Sequence, residues 1–393
     1  MNQPTLPFSE RRIGAERKAS GIALTDNQRV AWLRLWRTDN VGPVTFRQLI
    51  TRFGSADAAL EALPDLATRG GVQRAPKSPT RGEAEGEIAR LIKMGAKLVG
   101  MGEPDYPPML RFTEGAPALV TFMGSADVFH LPSLSVVGAR NASLAGIKFT
   151  KKLSGDVGQQ GYAIVSGLAR GIDTAAHQAT LGTGTIACLA GGLDHPYPTE
   201  NIGLFEAIAE RGGAVITEMP LGWEPRARDF PRRNRIIAAL GYGLLVVEAA
   251  QRSGSLISAR LANELGRIVF AVPGSPLDPR CEGTNNLLKN GATLVTCADD
   301  ILEALAPVTR QSFKTARTFE EPRDEQSTMT EATSTDRQRV IEALGPTPVA
   351  IDEIIAYTNV SPSQIYLILL ELDLAGRLQR HSGGSVSLIF LDA

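Results

Sequence analysis

Between residues 89 and 307, short apolar runs alternate with amphipathic stretches: KLVG, ALVTFMG, LSVVG, YAIVSG, TIACLAGG, AVITE, LLVVEA, IVFAVPG and TLVT. Several runs hold apolar residues at consecutive positions, as strands covered on both faces do. The helical patterns between them suit crossover connections. This alternation predicts an α/β domain on a doubly wound parallel sheet. The flanks read differently. Residues 1–24 are expected to be a disordered tail, and residues 25–88 a small helical domain with Ser55 and Asp57 placed to cap, whose Gly-, Pro-, Arg- and Ser-rich stretch over residues 70–87 reads as a linker. Residues 308–335 are polar and aperiodic, a linker. Residues 336–393 give three helical patterns and two short strands around Ser382-Gly383-Gly384, the outline of a winged helix.

Charge and cysteine usage narrow the function classes. The chain has 41 basic against 42 acidic residues, a net charge of −1, so any affinity for a polyanion must come from a local patch. Cys188, Cys281 and Cys297 are far apart and form no CxxC pair, which argues against a disulfide framework or a zinc cluster. The first residues hold no apolar leader, and no stretch approaches the roughly 18 apolar residues of a membrane span. These features predict a cytoplasmic protein without a membrane partner.

Ligands of doubly wound sheets sit at the carboxyl ends of the strands, where glycine turns bring backbone N–H groups close. Gly138, Arg140 and Asn141 follow one predicted strand; Ser166, Gly167, Arg170, Gly171 and Asp173 follow the next; Gly191 and Gly192 follow a third. Three such turns predict an anion site. There is no GxGxxG with its later acid and no GxxxxGK[ST], so neither a dinucleotide cofactor nor an ATPase phosphate loop is expected, and no cofactor is assigned. His177 and His195 have no partner histidine at metal spacing, so no metal ligands are assigned.

The stretch RARDFPRRNRIIAAL, residues 226–240, supplies the local charge. Arg226, Arg228, Arg232, Arg233 and Arg235 are permanent cations matched to phosphate oxygens, and Phe230 among them offers a face on which any base can stack. Pro231 predicts a helix over 232–240 that projects Arg233, Asn234 and Arg235 at its positive end and buries Ile236, Ile237 and Leu240. Such a cluster suits single-stranded nucleic acid.

VVGAR, SGLARGID with AAH, YPTEN, TEMP, FPRRNRIIAAL, VVEAAQRSGSLISA, GRIVFAVPG and GTNNLLKNGA fall in order over residues 136–292. In these motifs the chain resembles the bacterial DNA processing protein DprA (Smf) family. The resemblance implies an extended Rossmann-like fold flanked by a sterile-alpha-motif-type helical domain and a winged-helix-like domain. It also implies single-stranded DNA binding, homodimerisation, and loading of the RecA recombinase onto incoming DNA in natural transformation. Carried across, it assigns DNA contacts to Arg140, Ser166, Gly167, Arg170, Phe230, Arg233, Asn234 and Arg235, with Gly138, Gly171 and Asp173 shaping the turns. A lysine that some relatives carry before the FP pair has no counterpart here; Arg226 or Arg228 would supply its charge.

Two other classes stay open. Asp173 and Glu248 beside glycine turns would suit a nucleotide hydrolase of N-glycosidase type, although Asp173 more simply orders its turn. Ser253-Gly254-Ser255 reads as a helix cap, not a nucleophile, since no GxSxG surrounds it. The winged helix would suit a transcription regulator, but SPSQIYLILLELDLAG carries Glu371 and Asp373 and no Lys or Arg, poor chemistry for a groove reader. The chain is therefore read as a binding protein and not an enzyme. The Val41-Gly42-Pro43 turn, near Arg47 and Arg52, fits either a phosphate-gripping helix-hairpin-helix or a plain interhelical turn.

Overall fold

The computed structural model describes residues 23–72, 76–113, 115–309, 331–381 and 383–389. All but the last two residues of the expected tail and most of the expected 308–335 linker lie outside them, and the stretch 70–87 read as a linker is helical from Arg81 onward. The chain divides into two compact units: one from Glu87 through the α/β region, the other made of Leu24–Gly86 together with the C-terminal segment.

The nine apolar runs of the sequence become nine strands of one sheet: β1 (Lys97–Gly100), β2 (Leu119–Gly124), β3 (Ser133–Val137), β4 (Ala163–Ser166), β5 (Thr185–Cys188), β6 (Ala214–Thr217), β7 (Gly243–Val246), β8 (Ile268–Ala271) and β9 (Thr293–Leu294). Their order is β1-β2-β6-β5-β4-β3-β7-β8-β9. From β6 to β9 every pairing is parallel, and β3 through β7 are buried at every residue, as a doubly covered sheet requires. The sheet departs from the expected all-parallel form at one edge, where β1 pairs antiparallel with β2 and β2 with β6. Between β1 and β2 the chain forms only a one-turn helix, too little for a crossover.

Fifteen helices are described. In chain order they are α1 (Asp26–Trp36), α2 (Pro43–Phe53), α3 (Ala56–Arg69), α4 (Arg81–Lys93), α5 (Pro108–Arg111), α6 (Leu144–Gln159), α7 (Ile172–Thr180), α8 (Ile202–Glu210), α9 (Asp229–Leu240), α10 (Gly254–Glu264), α11 (Glu282–Lys289), α12 (Ala298–Thr309), α13 (Ser334–Ala343), α14 (Ile351–Thr358) and α15 (Pro362–Leu374). Two serines of β3 fix α9 against the sheet. The Ser135 and Ser133 hydroxyls donate to the carbonyls of Ile237 and Leu240, both at 2.6 Å, satisfying helix-end acceptors. The far end of α9 is thereby held over the carboxyl ends of β3–β5.

The crevice where the winding reverses, between β3 and β7, is closed. Glu248, just after β7, accepts from the Ser143 backbone N–H at 2.9 Å and from its hydroxyl at 2.5 Å, at the start of α6. A Cβ on Gly146 would lie 2.6 Å from the same carboxylate, and the Ser255 hydroxyl donates to the Gly138 carbonyl at 2.9 Å. Open space at the carboxyl edge lies to either side of this crevice, on the β3–β4–β5 side beside Arg140 and beyond β7 and β8 beside Gly274 and Asn285.

In the second unit, α1–α3 share a core of Trp32, Leu33, Phe46, Leu49 and Ile50. The C-terminal segment folds as α13–α15 with a sheet of β10 (Val349–Ala350), β12 (Ser385–Leu388) and β11 (Leu378–His381), a winged helix with one strand more than the sequence suggested. Helix α15 is buried on nearly every side.

His177 reports on packing in the α/β unit. It is fully buried, with Nδ1 2.7 Å from the Thr185 hydroxyl, which itself donates to the Ile164 carbonyl at 2.9 Å. Nδ1 is therefore the donor and the ring is neutral. Burial, then the charge of Arg233, push its pKa down from 6.5 to about 3. As pH falls through that window the unfolded chain takes up a proton that the folded protein refuses, so stability falls. Urea midpoints measured at a series of pH values below about 6 should show a loss of roughly 1.4 kcal/mol per pH unit. The loss should be absent from His177→Asn, which keeps the donor; equal slopes would contradict the assignment.

Candidate nucleic-acid interface

The turn after β3 and the turn after β4 hold each other in place. A Cβ on Gly138 would lie 2.5 Å from the Ile172 side chain, and Gly171, at φ 74°, would bring one within 2.3 Å of the Ala139 carbonyl. Only glycine permits this approach and this backbone angle. The result fixes Arg140 at the surface beside the loop Gly167–Arg170.

Asp173 orders that loop from inside, its carboxylate accepting from the N–H groups of Gly167 at 3.1 Å and Ala169 at 3.3 Å. Burial pushes its pKa up, while the nearby charge of Arg233 and the two amides act against that shift. Asn201 steadies the loop from the other side, donating to the carbonyls of Leu168 and Ala169 and to the Thr174 hydroxyl. Ser166 is fully buried and donates to the Val136 carbonyl at 2.6 Å.

Arg233 lies beneath the loop and not outside it. Its side chain is buried, with Nη1 2.5 Å from the Gly167 carbonyl and 2.7 Å from the Cys188 carbonyl, joining the ends of β4 and β5 to α9. Burial lowers its pKa, and Asp173 is the group that most opposes the shift. A side chain at position 167 would overlap the guanidinium, since its Cβ would stand 2.0 Å from Nη1.

Helix α9 begins at Asp229, not after Pro231 as the sequence suggested. The Asp229 carboxylate accepts from the Arg226 N–H at 2.9 Å and the Trp223 indole at 3.0 Å, which sets the earlier start. The expected outward face of Arg233, Asn234 and Arg235 does not form. Asn234 is buried, and Arg235 donates to the Gly115 carbonyl and pairs with Glu218. Glu218, with a side chain only 2% exposed, also pairs with Arg232 at 3.1 Å. Among the five arginines of the 226–240 stretch, Arg226 and Arg228 are left exposed to solvent without a carboxylate partner among the described contacts, Arg226 lying over the Trp223 ring at 5.2 Å.

What does form is a cavity of about 340 Å³ lined by Arg140, Asn141, Gly167, Ala169, Arg170, Tyr197, Pro198 and Phe230. Phe230 is half-buried at its wall. The Arg140 guanidinium lies 5.1 Å from the ring centroid, and the Tyr197 ring meets it edge-on at 5.7 Å. Arg170, at the rim, is exposed and pairs with Glu200. Exposed pairs of this kind are weak and exchange readily with a phosphate. Tyr197, Pro198 and Asn201 come from the YPTEN stretch, to which the sequence reading gave no site role. An aromatic next to Pro in a strand-end loop was the available signal. The third glycine turn provides no anion cradle: the Gly192 N–H donates to the Trp223 carbonyl at 2.9 Å, and the Gly191 carbonyl accepts from Thr217. Among the described residues no cluster of three or more His, Cys, Asp or Glu side chains is arranged to hold a metal.

Arg233→Met removes the donor shared by two buried carbonyls. It should lower the unfolding free energy of the α/β unit by about 2–4 kcal/mol in urea titrations, against under about 0.5 kcal/mol for Arg226→Met. Equal effects would mean that Arg233 is not the internal tie.

Comparisons with known proteins agree with the fold. A family described as DNA recombination-mediator protein A matches residues 97–306, a DprA-like N-terminal HHH domain matches 26–89, and a DprA winged helix domain matches 323–384. Protein Smf of Synechocystis is 30% identical, over 92% of this chain and 98% of its own. The crystal structure of DNA processing protein A from Streptococcus pneumoniae is 35% identical with a TM-score of 0.58, covering 72% of this chain and 98% of that one. DNA processing protein A from Helicobacter pylori, whose structure concerns its single-stranded DNA binding mode, is 26% identical with a TM-score of 0.50, covering 54% and 96%. With its α/β unit and both flanks matched in order, the chain belongs to the DprA (Smf) family of DNA processing proteins.

Proposed function

We propose that this protein binds single-stranded DNA without sequence preference and serves as a recombination mediator, handing the strand to the RecA recombinase in natural transformation. The observation that carries this reading is the cavity at the ends of β3–β5, where Arg140 and Arg170 flank the half-buried Phe230 and the exposed Tyr197. Cationic forks grip the backbone of a flexible strand, and an aromatic face accepts any base. The single-strand binding of the H. pylori relative and the mediator description of the matched family support it. The same resemblance supports action as a homodimer in the cytoplasm; among the described residues no helix is long and apolar enough to cross a membrane.

The protein acts by binding and not by catalysis. The two acids that suggested hydrolysis are engaged: Asp173 holds two amides of its loop, and Glu248 holds the start of α6. Ser253 caps α10. Incubation of the protein with a broad panel of nucleotides should release neither base nor phosphate; turnover of any of them would favour the hydrolase instead.

Fluorescence anisotropy with a mixed-sequence oligonucleotide tests the site. Affinity should fall with salt at a log–log slope of roughly −0.7 per phosphate neutralised. Arg140→Ala and Arg170→Ala should each weaken binding and flatten the slope by about that amount. Arg235→Ala, whose charge Glu218 already answers, should leave the slope unchanged. Phe230→Ala should weaken binding by about 1–3 kcal/mol, roughly fivefold to 150-fold, with the slope intact. Indifference to both Arg140→Ala and Phe230→Ala would reject the cavity as the binding site.

A further inference from the structure

Helix α15 occupies the position from which a winged helix reads the major groove, yet its acids Glu371 and Asp373 would repel a phosphate backbone. The structure gives these acids another role. Helix α15 packs against α3 and α2 of the N-terminal helical domain so closely that a Cβ on Gly70 would lie 2.1 Å from the Glu371 carbonyl. Polar contacts join segments more than 300 residues apart. The Asn40 amide donates to the Leu374 carbonyl at 3.1 Å, Arg377 to the Gly70 carbonyl at 3.0 Å, and Arg380 to the Gln48 side chain at 3.2 Å.

The contacts spread from the end of α3 across α2 to the α1–α2 hairpin, Asn40-Val41-Gly42-Pro43, where Asn40 makes the first of them. Asn40 has φ 64° and abuts Gly376, itself at φ 68°. Gly42, at the N-cap of α2, brings no capping side chain. The hydroxyl of Thr45 in the first turn of α2 donates to the Asp373 carboxylate at 2.7 Å, which also takes Arg380 Nε at 3.0 Å. A carboxylate from the C-terminal domain thus sits at the positive end of the helix where a hairpin of this kind would receive a phosphate.

We infer that the winged-helix domain is an intramolecular cap on the helical domain, its α15 occupying the hairpin face with the Asp373 carboxylate in place of a phosphate while Glu371 is held by Arg337 of its own domain, so that neither domain engages duplex DNA while they are docked. The partner of α15 is this chain's own N-terminal domain, and the cap is an electrostatic mimic of the DNA backbone that it excludes.

The test uses the full-length protein carrying Arg140→Ala, which weakens the single-strand site, and a blunt, labelled random-sequence duplex at low salt. Asp373→Asn removes the charge at the hairpin with little change of shape, and duplex affinity should rise about two- to fivefold. Glu353→Gln, on the exposed surface of α14, changes net charge equally and should give a smaller gain. Gly70→Val forces α3 from α15; it should speed hydrogen exchange along α15 and raise duplex affinity by at least about tenfold. A gain for Asp373→Asn no larger than for Glu353→Gln overturns the inference whether or not Gly70→Val folds. So does faster exchange in Gly70→Val without tighter duplex binding.

Discussion

The cavity at the ends of β3–β5 depends on a guanidinium buried beneath it. Arg233 lies beneath the loop that follows β4 and holds the carbonyls of Gly167 and Cys188. A buried guanidinium costs stability unless its charge and donors are answered. Here Nη1 draws two strand ends and the first turns of α9 together, Nε is left without a hydrogen-bond partner, and Asp173 balances the charge while ordering the amides above it. Phe230 is one helical turn before Arg233, so fixing one fixes the other. Removing the internal cation would loosen both the loop that carries Arg170 and the ring beside Arg140.

Charge is sorted over short distances. With a net charge of −1, the chain cannot attract a polyanion globally. Arg140 and Arg170 stand at the cavity, and the arginines behind it are neutralised. Glu218, itself nearly buried, answers the half-exposed Arg232 and the more buried Arg235, whereas Glu200 holds Arg170 in solvent. The buried pairings are structural; the exposed one is easily exchanged. Glu248 and Ser143 close the β3–β7 crevice, the usual ligand position of a doubly wound sheet, and the cavity of Arg140, Arg170 and Phe230 lies at the neighbouring edge.

The two ends of the chain are joined in one unit, although they read as separate domains. Helix α15 is apolar on almost every side because it is covered on almost every side, by its own domain and by α2 and α3. Its acids, poorly suited to a groove, match the hydroxyl and the basic groups that surround them.

The sequence by itself determined the nine strands, the parallel core of the sheet, the winged helix and the glycine turns, because each rests on local pattern: consecutive apolar residues, periodicity, or a backbone angle only glycine adopts. Arg140, Arg170 and Phe230 at one cavity were legible too, since strand-end turns converge in such folds. The inward turn of Arg233 and Asn234 was half legible, for they stand three and four residues after Phe230, on the stripe that continues to Ile237. The start of α9 at Asp229 was not, because it rests on hydrogen bonds to Trp223 and Arg226 in the preceding loop. Tertiary structure alone decided which arginines stay free, that Tyr197 faces Phe230, and that Asp373 meets Thr45. Each of these is a pairing of residues distant along the chain or fixed by loop conformation, and composition, period and spacing carry no record of which charges come to lie side by side.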